Sequence, residues 1–393
     1  MTVAGIEYTT LDNAADLQQF YEQHQGVGWL GFDTEFIGEK RYHTLLCLIQ
    51  LSSEHGYFLL DPLKVEDLTP LLRLIQDERI VKITHAGDND YRLLYRAYGI
   101  TPANVFDTQV ASGFIGLRYP MSFAKLLEEL LDVKVGKGYA VTDWSRRPMS
   151  EKQLKYALND VIYLRDLYDV ITTKLKQNGR LAWALEECAL MTDPDYYYRD
   201  PHHELLNSNI ARSSRKQDRV FLLRLYEWRR SQAERKDYSK EMILSSKIIG
   251  QLVRGVRGGK ESMLENRRLP NKTVQRYGDL FVKFYNDEPT EEELKIVKQI
   301  QRVKQEEEDD DMIIELLYLL MKYRSGEANI SHSLVMPRNA IKRMKQDDAV
   351  RKSILGSGWR RELLGDDFVN WLKYFDRLKL SIEGGSIKLK IED

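Results

Sequence analysis

Between residues 29 and 191 the spacing of apolar residues switches repeatedly between the two-residue period of a strand and the 3.6-residue period of a helix. Strand patterns come first, and the two kinds then alternate, which is typical of a mixed sheet with helices packed on it. We therefore predict an α/β domain over residues 1–192. The strand patterns lie at residues 29–36, 45–51, 57–60, 80–83 and 105–108, and the helical patterns at 68–75, 88–98, 122–131 and 150–175.

Strand patterns nearly vanish in the second half of the chain. Residues 193–214 are rich in Tyr, Pro, Asp, His, Asn and Ser, and are predicted to be a linker. Residues 215–290 carry helical spacing interrupted by glycine and proline, which predicts a small helical domain. We expect a second helical domain over residues 291–377 and a tail over 378–393 that can form a hairpin. The predicted fold class is α/β followed by all-α domains.

Composition excludes two classes of protein. No stretch approaches the roughly 18 consecutive apolar residues that a membrane span requires. The two cysteines, Cys47 and Cys188, are too few for a disulfide framework or a cysteine-rich zinc site. We therefore expect reduced cysteines, a cytoplasmic location and no membrane partner.

Charge is distributed unevenly along the chain. The whole sequence has a formal net charge of −1, whereas residues 212–287 contain 19 Lys and Arg against 9 Asp and Glu, a net charge of +10. A basic helical unit joined to an acidic remainder is typical of a phosphate-binding module, although an ordinary solvated helical surface is the alternative. Arg254, Arg257 and Lys260 form a local cluster of basic residues within it.

Two acidic residues, Asp33 and Glu35, interrupt the apolar strand pattern at residues 29–36. Side chains two positions apart on a strand point to the same face, so both carboxylates project together. Burying two like charges side by side is costly unless they are paired or hold a cation. The alternative is a solvated pair on the exposed face of an edge strand.

Further acids occur at positions that suit the same site. Asp90 falls in the first turn of the helix that follows strand 80–83, and Tyr156 and Asp160 share one face of a later helix. Taken alone, each residue has a simpler explanation, because Asp90 can stabilise the start of its helix and Tyr156 can be a core residue. Together, the acids form a set of oxygen ligands that suits Mg²⁺ or Mn²⁺ better than zinc. Two such ions would stabilise an in-line displacement at phosphorus, so the set predicts phosphodiester hydrolysis.

These residues resemble the three motifs of the DEDD 3′–5′ exonucleases, in the variant with tyrosine in the third motif. The segments that carry a narrower resemblance are Asp33-Thr-Glu35, Thr84-His-Ala-Gly-Asp-Asn-Asp90, Phe106-Asp-Thr-Gln109, Thr142-Asp-Trp-Ser-Arg-Arg-Pro148 and Tyr156-Ala-Leu-Asn-Asp-Val161. With these segments the chain resembles the ribonuclease D family over roughly residues 20–190. The resemblance implies a ribonuclease H-like fold and release of nucleoside 5′-monophosphates from an RNA 3′ end.

The resemblance also implies roles for individual residues. Four carboxylates are expected to hold two divalent ions, Mg²⁺ or Mn²⁺, and Tyr156 is expected to orient the attacking water. No small-molecule cofactor is implied. The expected metal ligands are Asp33, Glu35, Asp90 and Asp160, and the expected substrate-binding residues are His85, Trp144, Arg147 and Lys137. For His85 a hydrogen bond to nearby backbone is an equal alternative, and for Trp144 core packing is favoured.

The resemblance extends beyond the first domain. Residues 215–290 are similar to the helicase-and-ribonuclease-D C-terminal (HRDC) domain, and residues 291–377 resemble a second, more diverged copy. The implied partner is RNA, in particular the 3′ ends of tRNA precursors and other structured small RNAs.

Two other functions stay open at this point. One is a DNA 3′–5′ exonuclease, because no residue reads the 2′-hydroxyl directly and the preference for RNA depends on the resemblance. The other is a non-catalytic nucleic-acid-binding scaffold. The complete set of acids argues against the scaffold.

Overall fold

The computed structural model describes residues 1–136, 142–300, 308–337, 340–341, 343–344, 348–373, 377–383 and 386–391. The chain forms two compact units. Within the described residues, no helix is long and apolar enough to cross a membrane. The first unit contains Met1–Glu35, Leu46–Tyr197 and Glu306–Asp393, and the second contains Phe36–Leu45 and Tyr198–Gln305.

A six-stranded mixed sheet organises the first unit. The first eight strands are β1 (Thr2–Val3), β2 (Ile6–Glu7), β3 (Thr9–Leu11), β4 (Trp29–Ile37), β5 (Leu45–Ser53), β6 (Gly56–Leu60), β7 (Val81–Thr84) and β8 (Val105–Asp107). The sheet has the order β3-β6-β5-β4-β7-β8. The β3–β6, β4–β7 and β7–β8 pairs are parallel, whereas β5–β6 is antiparallel, which confirms the mixed sheet. The three residues of β3 are too few to show a strand period in the sequence.

Helices of the first unit pack around a continuous apolar core. The single helix expected over residues 150–175 is two helices, because the backbone turns at Tyr163 (φ −96°, ψ 2°). The helices are α1 (Ala14–His24), α2 (Thr69–Gln76), α3 (Asp88–Tyr98), α4 (Thr108–Gly113), α5 (Phe123–Leu131), α6 (Glu151–Ile162), α7 (Leu164–Gln177), α8 (Leu181–Ala189), a 3₁₀ turn (Leu190–Thr192) and α9 (Pro194–Tyr197).

The second unit is helical and has its own core, in which Phe221, Leu252 and Phe281 are fully buried. Short helices also occur within residues 193–214, where the sequence predicts a linker. The helices of this unit are α10 (His203–Leu206), α11 (Asn209–Ser213), α12 (Lys216–Lys236), α13 (Lys240–Ile243), α14 (Ser246–Val256), α15 (Gly259–Glu265), α16 (Asn271–Asn286) and α17 (Glu291–Lys298).

The C-terminal part of the chain contributes to the first unit. Leu317, Met321 and Phe368 are buried in the same core as the sheet, so the segment predicted as a separate domain, 291–377, is divided between the two units. Apolar periodicity identifies its helices but does not show which core they enter. Its elements are α18 (Glu308–Glu327), α19 (His332–Val335), α20 (Asp348–Leu355), α21 (Trp359–Lys373) and the antiparallel strands β9 (Leu378–Glu383) and β10 (Ser386–Ile391).

A charged and aromatic junction fastens α21 to α8. The Arg360 guanidinium donates two hydrogen bonds of 2.7 Å to the Glu187 carboxylate and one of 2.8 Å to the Val335 carbonyl. The Trp359 indole donates to the same carboxylate at 2.8 Å and packs edge-on against Phe114, with ring centroids 4.7 Å apart. The C-terminal segment is therefore part of the first unit's framework.

We expect Arg360→Ala to lower the free energy of unfolding by about 2–3 kcal/mol, because it leaves a largely buried carboxylate without its charged partner. The adjacent Arg361 is a matched control, since its pair with Asp366 is mostly exposed and should contribute less than about 1 kcal/mol. Urea unfolding of the full chain measures both. Equal effects of the two substitutions would contradict the assigned role of the junction.

Candidate active site

Strand β4 carries the acid pair at the centre of the sheet, between β5 and β7. Phe32 and Thr34 are buried, whereas Asp33 and Glu35 are half-buried. The pleat of the strand places both carboxylates on one face. Because β4 is hydrogen-bonded on both sides, the pair projects from a rigid element.

Helix α6 brings a third carboxylate to this pair. Its start is fixed by a capping box, in which Ser150 accepts from the Gln153 N–H at 3.3 Å and Gln153 accepts from the Ser150 N–H at 3.0 Å. Asp160 lies near the end of this helix. Carboxylate oxygens of Asp33, Glu35 and Asp160 lie within 4.8 Å of one another.

Asp90 is the fourth acid of the site and is 6% exposed. It lies in the first turn of α3, and its carboxylate accepts a short hydrogen bond from the Thr34 hydroxyl. Burial is the largest cause of the raised pKa values of Asp33, Glu35 and Asp160. The negative charge of Asp90 raises all three further, so Asp90 is close enough to interact with each of them. All four acids singled out in the sequence therefore meet in one region.

Burial and mutual repulsion determine the protonation of this cluster. Burial, followed by the charges of the neighbouring acids, raises the pKa of Asp33 well above its usual range and that of Glu35 to about 9. Burial and the charge of Asp90 raise the pKa of Asp160 to about 7, and burial raises that of Asp90 to about 7. A bound cation would offset the repulsion and release protons from the cluster.

The donor set decides which cation fits. All donors of the cluster are carboxylate oxygens, which suit hard divalent ions such as Mg²⁺ and Mn²⁺, whereas zinc sites in proteins are built mainly from Cys and His. Three oxygens within 4.8 Å can approach one ion together. The residues present thus fit a divalent metal.

Tyr156 stands one turn before Asp160 and donates a hydrogen bond to its carboxylate. Burial, followed by the charges of Asp160, Glu35 and Asp33, raises the pKa of the Tyr156 hydroxyl. The phenol therefore stays protonated at neutral pH and acts as a hydrogen-bond donor.

Two of the expected substrate-binding residues are occupied by internal contacts. The His85 ring approaches the Thr108 hydroxyl at 3.0 Å and the Met121 carbonyl at 3.1 Å, so its Nε2 donates to backbone. Burial lowers the pKa of His85. Trp144 is 1% exposed, and its ring centroid lies 6.0 Å from that of Tyr156, which agrees with the favoured packing role.

Arg147 likewise has structural partners. Its guanidinium donates to both oxygens of Asp61, at 2.6 and 2.7 Å, and to the carbonyls of Cys47 and Trp144 at 2.7 Å. These bonds anchor the segment before α6 to β5 and to the residue that follows β6. With its donors engaged in this way, the guanidinium acts as part of the framework. Lys137 lies outside the described residues.

Thr34 also belongs to this site, although it is not among the site residues predicted from the sequence. A hydroxyl residue between two functional acids is the only signal in the sequence, because its partner Asp90 is 56 residues away along the chain. The capping residues Ser150 and Gln153 were also not selected, although the Ser-x-x-Gln spacing is a recognisable helix-start pattern.

Comparison with known protein families divides the chain into two matching regions. Residues 8–176 match a 3′–5′ exonuclease family, and residues 218–285 match the HRDC domain. The first region contains all four acids and Tyr156. The second lies within the helical unit predicted at residues 215–290.

Curated relatives match over nearly the whole length. The chain is 30% identical to ribonuclease D of Sphingobium indicum over 96% of this chain and 97% of the relative. It is 28% identical to ribonuclease D of Zymomonas mobilis over 97% of each protein. A crystal structure of Escherichia coli RNase D, an exoribonuclease involved in structured RNA processing, is 23% identical and superposes with a TM-score of 0.79, covering 94% of this chain and all of that one. This likeness supports the fold.

We expect Asp33→Asn to raise the free energy of unfolding of the metal-free protein by about 1–2 kcal/mol at pH 8, because the amide needs neither to bind a proton nor to bury a charge beside the other acids on folding. The gain should grow with pH, since a carboxyl whose pKa is raised in the folded state opposes folding once the pH exceeds its unfolded value of about 4. The variant should also lose the rise in melting temperature that Mg²⁺ produces in the wild-type protein.

Thermal and urea unfolding with Mg²⁺ or EDTA measure both effects. Glu129→Gln, which removes the same kind of charge from an exposed position of α5, should change neither quantity. A variant at Asp33 that is less stable than the wild-type apo protein and keeps its full Mg²⁺ response would contradict the account of the cluster.

Proposed function

We propose that this chain, which belongs to the ribonuclease D family and is a 3′–5′ exoribonuclease, trims the 3′ extensions of precursor tRNA and other small structured RNAs. We propose nucleoside 5′-monophosphates as the products. The main support for the proposal is a cluster of acids. Carboxylate oxygens of Asp33, Glu35 and Asp160 lie within 4.8 Å of one another, and Asp90 lies beside them. The cytoplasmic location expected from the sequence stays a prediction.

Asp33, Glu35, Asp90 and Asp160 would hold two divalent ions, Mg²⁺ or Mn²⁺. Ions bound there would supply Lewis acidity toward the scissile phosphate and lower the pKa of the attacking water. The chain itself contributes the position of the ligands. β4 fixes two of them, α6 fixes a third, and the Thr34 hydroxyl orients the fourth by its hydrogen bond to Asp90.

Tyr156 is proposed to orient the attacking water. Its hydroxyl keeps its proton at neutral pH because burial and the nearby carboxylates raise its pKa. A protonated phenol can donate or accept a hydrogen bond but cannot abstract a proton, so orientation is the role its chemistry allows.

RNA is the substrate supported by the relatives, which are named ribonuclease D. A DNA exonuclease would use the same four carboxylates, so the site chemistry does not discriminate between the two nucleic acids. A non-catalytic scaffold would have no need to keep four carboxylates in mutual repulsion. We therefore retain DNA hydrolysis as the second candidate.

The basic surplus of the second unit separates into two groups. One group is engaged in ion pairs. Arg224 pairs with Glu293, and Arg257 pairs with Asp218. Arg229 pairs with both Glu204 and Glu241. Lys260 is paired with Asp279 at 2.6 Å. Arg257 and Lys260, two members of the local basic cluster noted in the sequence, are therefore engaged in ion pairs within the unit.

A second group of cations is exposed on α16. Lys272, Arg276 and Lys283 are all exposed, and their spacing of four and seven residues places them within about 40° of one another on the helix. We call them the α16 basic stripe and propose that they contact RNA phosphates. Arg267 and Arg268, also exposed, precede the same helix.

The reaction is tested by a time course on an RNA with a 3′-extended tRNA body, with Mg²⁺, Mn²⁺ or EDTA, and with products resolved one nucleotide at a time. We expect 5′-monophosphates to be released stepwise from the 3′ end, with no activity in EDTA. A DNA single strand of matched sequence should be degraded at least ten times more slowly. Asp33→Asn should be inactive under all conditions.

Equal rates on the matched RNA and DNA strands would favour the DNA-exonuclease alternative. Activity that survives EDTA would contradict the metal assignment. Tyr156→Phe belongs in the same assay, because loss of an orienting hydroxyl should lower kcat while leaving RNA affinity nearly unchanged.

RNA binding by the α16 basic stripe is tested in an Asp33→Asn background, which prevents degradation. Replacing Lys272, Arg276 and Lys283 together by Ala should weaken RNA binding. The slope of the logarithm of the RNA association constant against log[salt] should also become less steep, by about 0.7–0.9 for each RNA phosphate that the variant no longer contacts. The measurement is RNA affinity across a salt series.

Lys295→Ala with Lys298→Ala is the matched control, since both lysines are exposed in the same unit on the acidic helix α17. Parallel salt slopes for the stripe variant and the parent protein would remove the stripe from the RNA-binding surface.

A further inference from the structure

We propose that Asp107 is a positioning residue that holds Asp90 in place for metal binding. The inference rests on the proposed function, because it takes Asp90 to be a metal ligand. Asp107 ends β8 and is 1% exposed. It lies in the Phe106-Asp-Thr-Gln109 segment and is absent from the group of acids within 4.8 Å of one another.

The Asp107 carboxylate accepts four backbone hydrogen bonds. Two come from the turn between β7 and α3, where the N–H groups of Ala86 and Gly87 lie 3.1 and 2.9 Å away. The other two come from the start of α4, where those of Gln109 and Val110 lie 2.8 and 3.3 Å away. One side chain therefore fixes the turn before α3 and the first turn of α4.

The turn before α3 requires such support for two reasons. Ala86 has a φ of 58°, a left-handed conformation that a residue with a Cβ rarely adopts. Gly87 is the N-cap of α3 and supplies no side-chain capping bond. A Cβ at this position would lie 2.6 Å from the Thr84 Oγ1, so a larger capping residue does not fit.

The sheet places Asp107 where this support is needed. Thr84 and Asp107 are paired in the parallel β7–β8 register, so the carboxylate lies beside the turn that begins at the next residue. The Asp107 N–H donates to the Cys188 sulfur at 3.3 Å, which ties the same residue to α8. Its carboxylate oxygens face N–H groups, and it is therefore not available as a fifth ligand.

The position of Asp90 follows from that of the turn. Asp90 lies three residues after Gly87, and its carboxylate is held from the other side by the Thr34 hydroxyl. In Asp107→Asn, the remaining oxygen can still accept the three hydrogen bonds that Oδ1 accepts in the wild-type protein. The new NH₂ group then takes the place of Oδ2 and faces the Gly87 N–H. Two donors then face each other at the N-cap of α3. The first turn of α3 should loosen, and Asp90 with it.

The test is a Mg²⁺ titration of the full chain, followed by melting temperature and by calorimetry. Asp107→Asn should need at least ten times more Mg²⁺ than the wild-type protein for half of the full shift. Arg360→Ala is the control, because it breaks a largely buried ion pair of the first unit that joins α21 to α8, and neither helix carries one of the four acids. It should lower the melting temperature without changing the Mg²⁺ requirement.

A second variant separates positioning from general destabilisation. Ala86→Gly removes the conformational cost of the left-handed turn, so Asp107→Asn with Ala86→Gly should regain melting temperature. Because the hydrogen bonds to the carboxylate are not restored, its Mg²⁺ requirement should stay raised. A purely structural role predicts that the Mg²⁺ requirement returns to the wild-type value together with the melting temperature.

The outcomes are distinguishable. If the wild-type protein shows no saturable Mg²⁺ response, the metal assignment fails and the inference fails with it. If the wild-type protein responds and Asp107→Asn has the same half-saturation, the metal assignment stands and the positioning role is overturned.

Discussion

Repulsion among closely spaced, half-buried carboxylates is the constraint that the elements around the candidate site must withstand. Three carboxylates lie within 4.8 Å of one another, and the charge of a fourth reaches them. In a partly desolvated site, such an arrangement opposes folding unless the elements that carry it are held by other interactions. β4 is paired on both sides, α6 begins with a capping box, and α3 is restrained at the turn before it. The stability of these elements allows the carboxylates to be held together in the absence of a cation.

Arginines and a returning chain segment stabilise this framework. Arg147 connects the segment before α6 to Asp61 and to the carbonyl of Cys47, and Arg360 connects α21 to Glu187 on α8. Both guanidinium groups form several hydrogen bonds in a fixed geometry, which lysine could not reproduce. Residues after 306 also add buried side chains to the core of the sheet. A chain that ended near residue 209 would therefore expose an apolar face of the first unit.

The proximity of the acids within each pair could be predicted from the sequence because its signals are local. Asp33 and Glu35 are two residues apart on a strand, and Tyr156 and Asp160 are four apart on a helix, so periodicity alone places each pair on one face. The mixed sheet could be predicted for the same reason. The role of Arg147 could not, because Asp61 is 86 residues away and a basic residue in a loop gives no sign of its partner. The packing of α18 and α21 in the first core depends on long-range interactions that periodicity does not encode.

Hydrogen-bond partners distinguish two kinds of acid that are wholly or partly buried in this unit. Asp61 receives bonds from Arg147 and from the Leu63 N–H, and Asp107 receives four from backbone N–H groups, so each carboxylate finds its donors within the protein. Asp90 and Asp160, by contrast, receive a hydroxyl hydrogen bond from Thr34 and Tyr156, and like Asp33 and Glu35 they have raised pKa values. An acid that is already surrounded by donors gains little from a cation, whereas a group of acids that repel one another gains much. Acids of the same type therefore form either framework contacts or a repelling cluster that suits a cation, according to the donors that surround them.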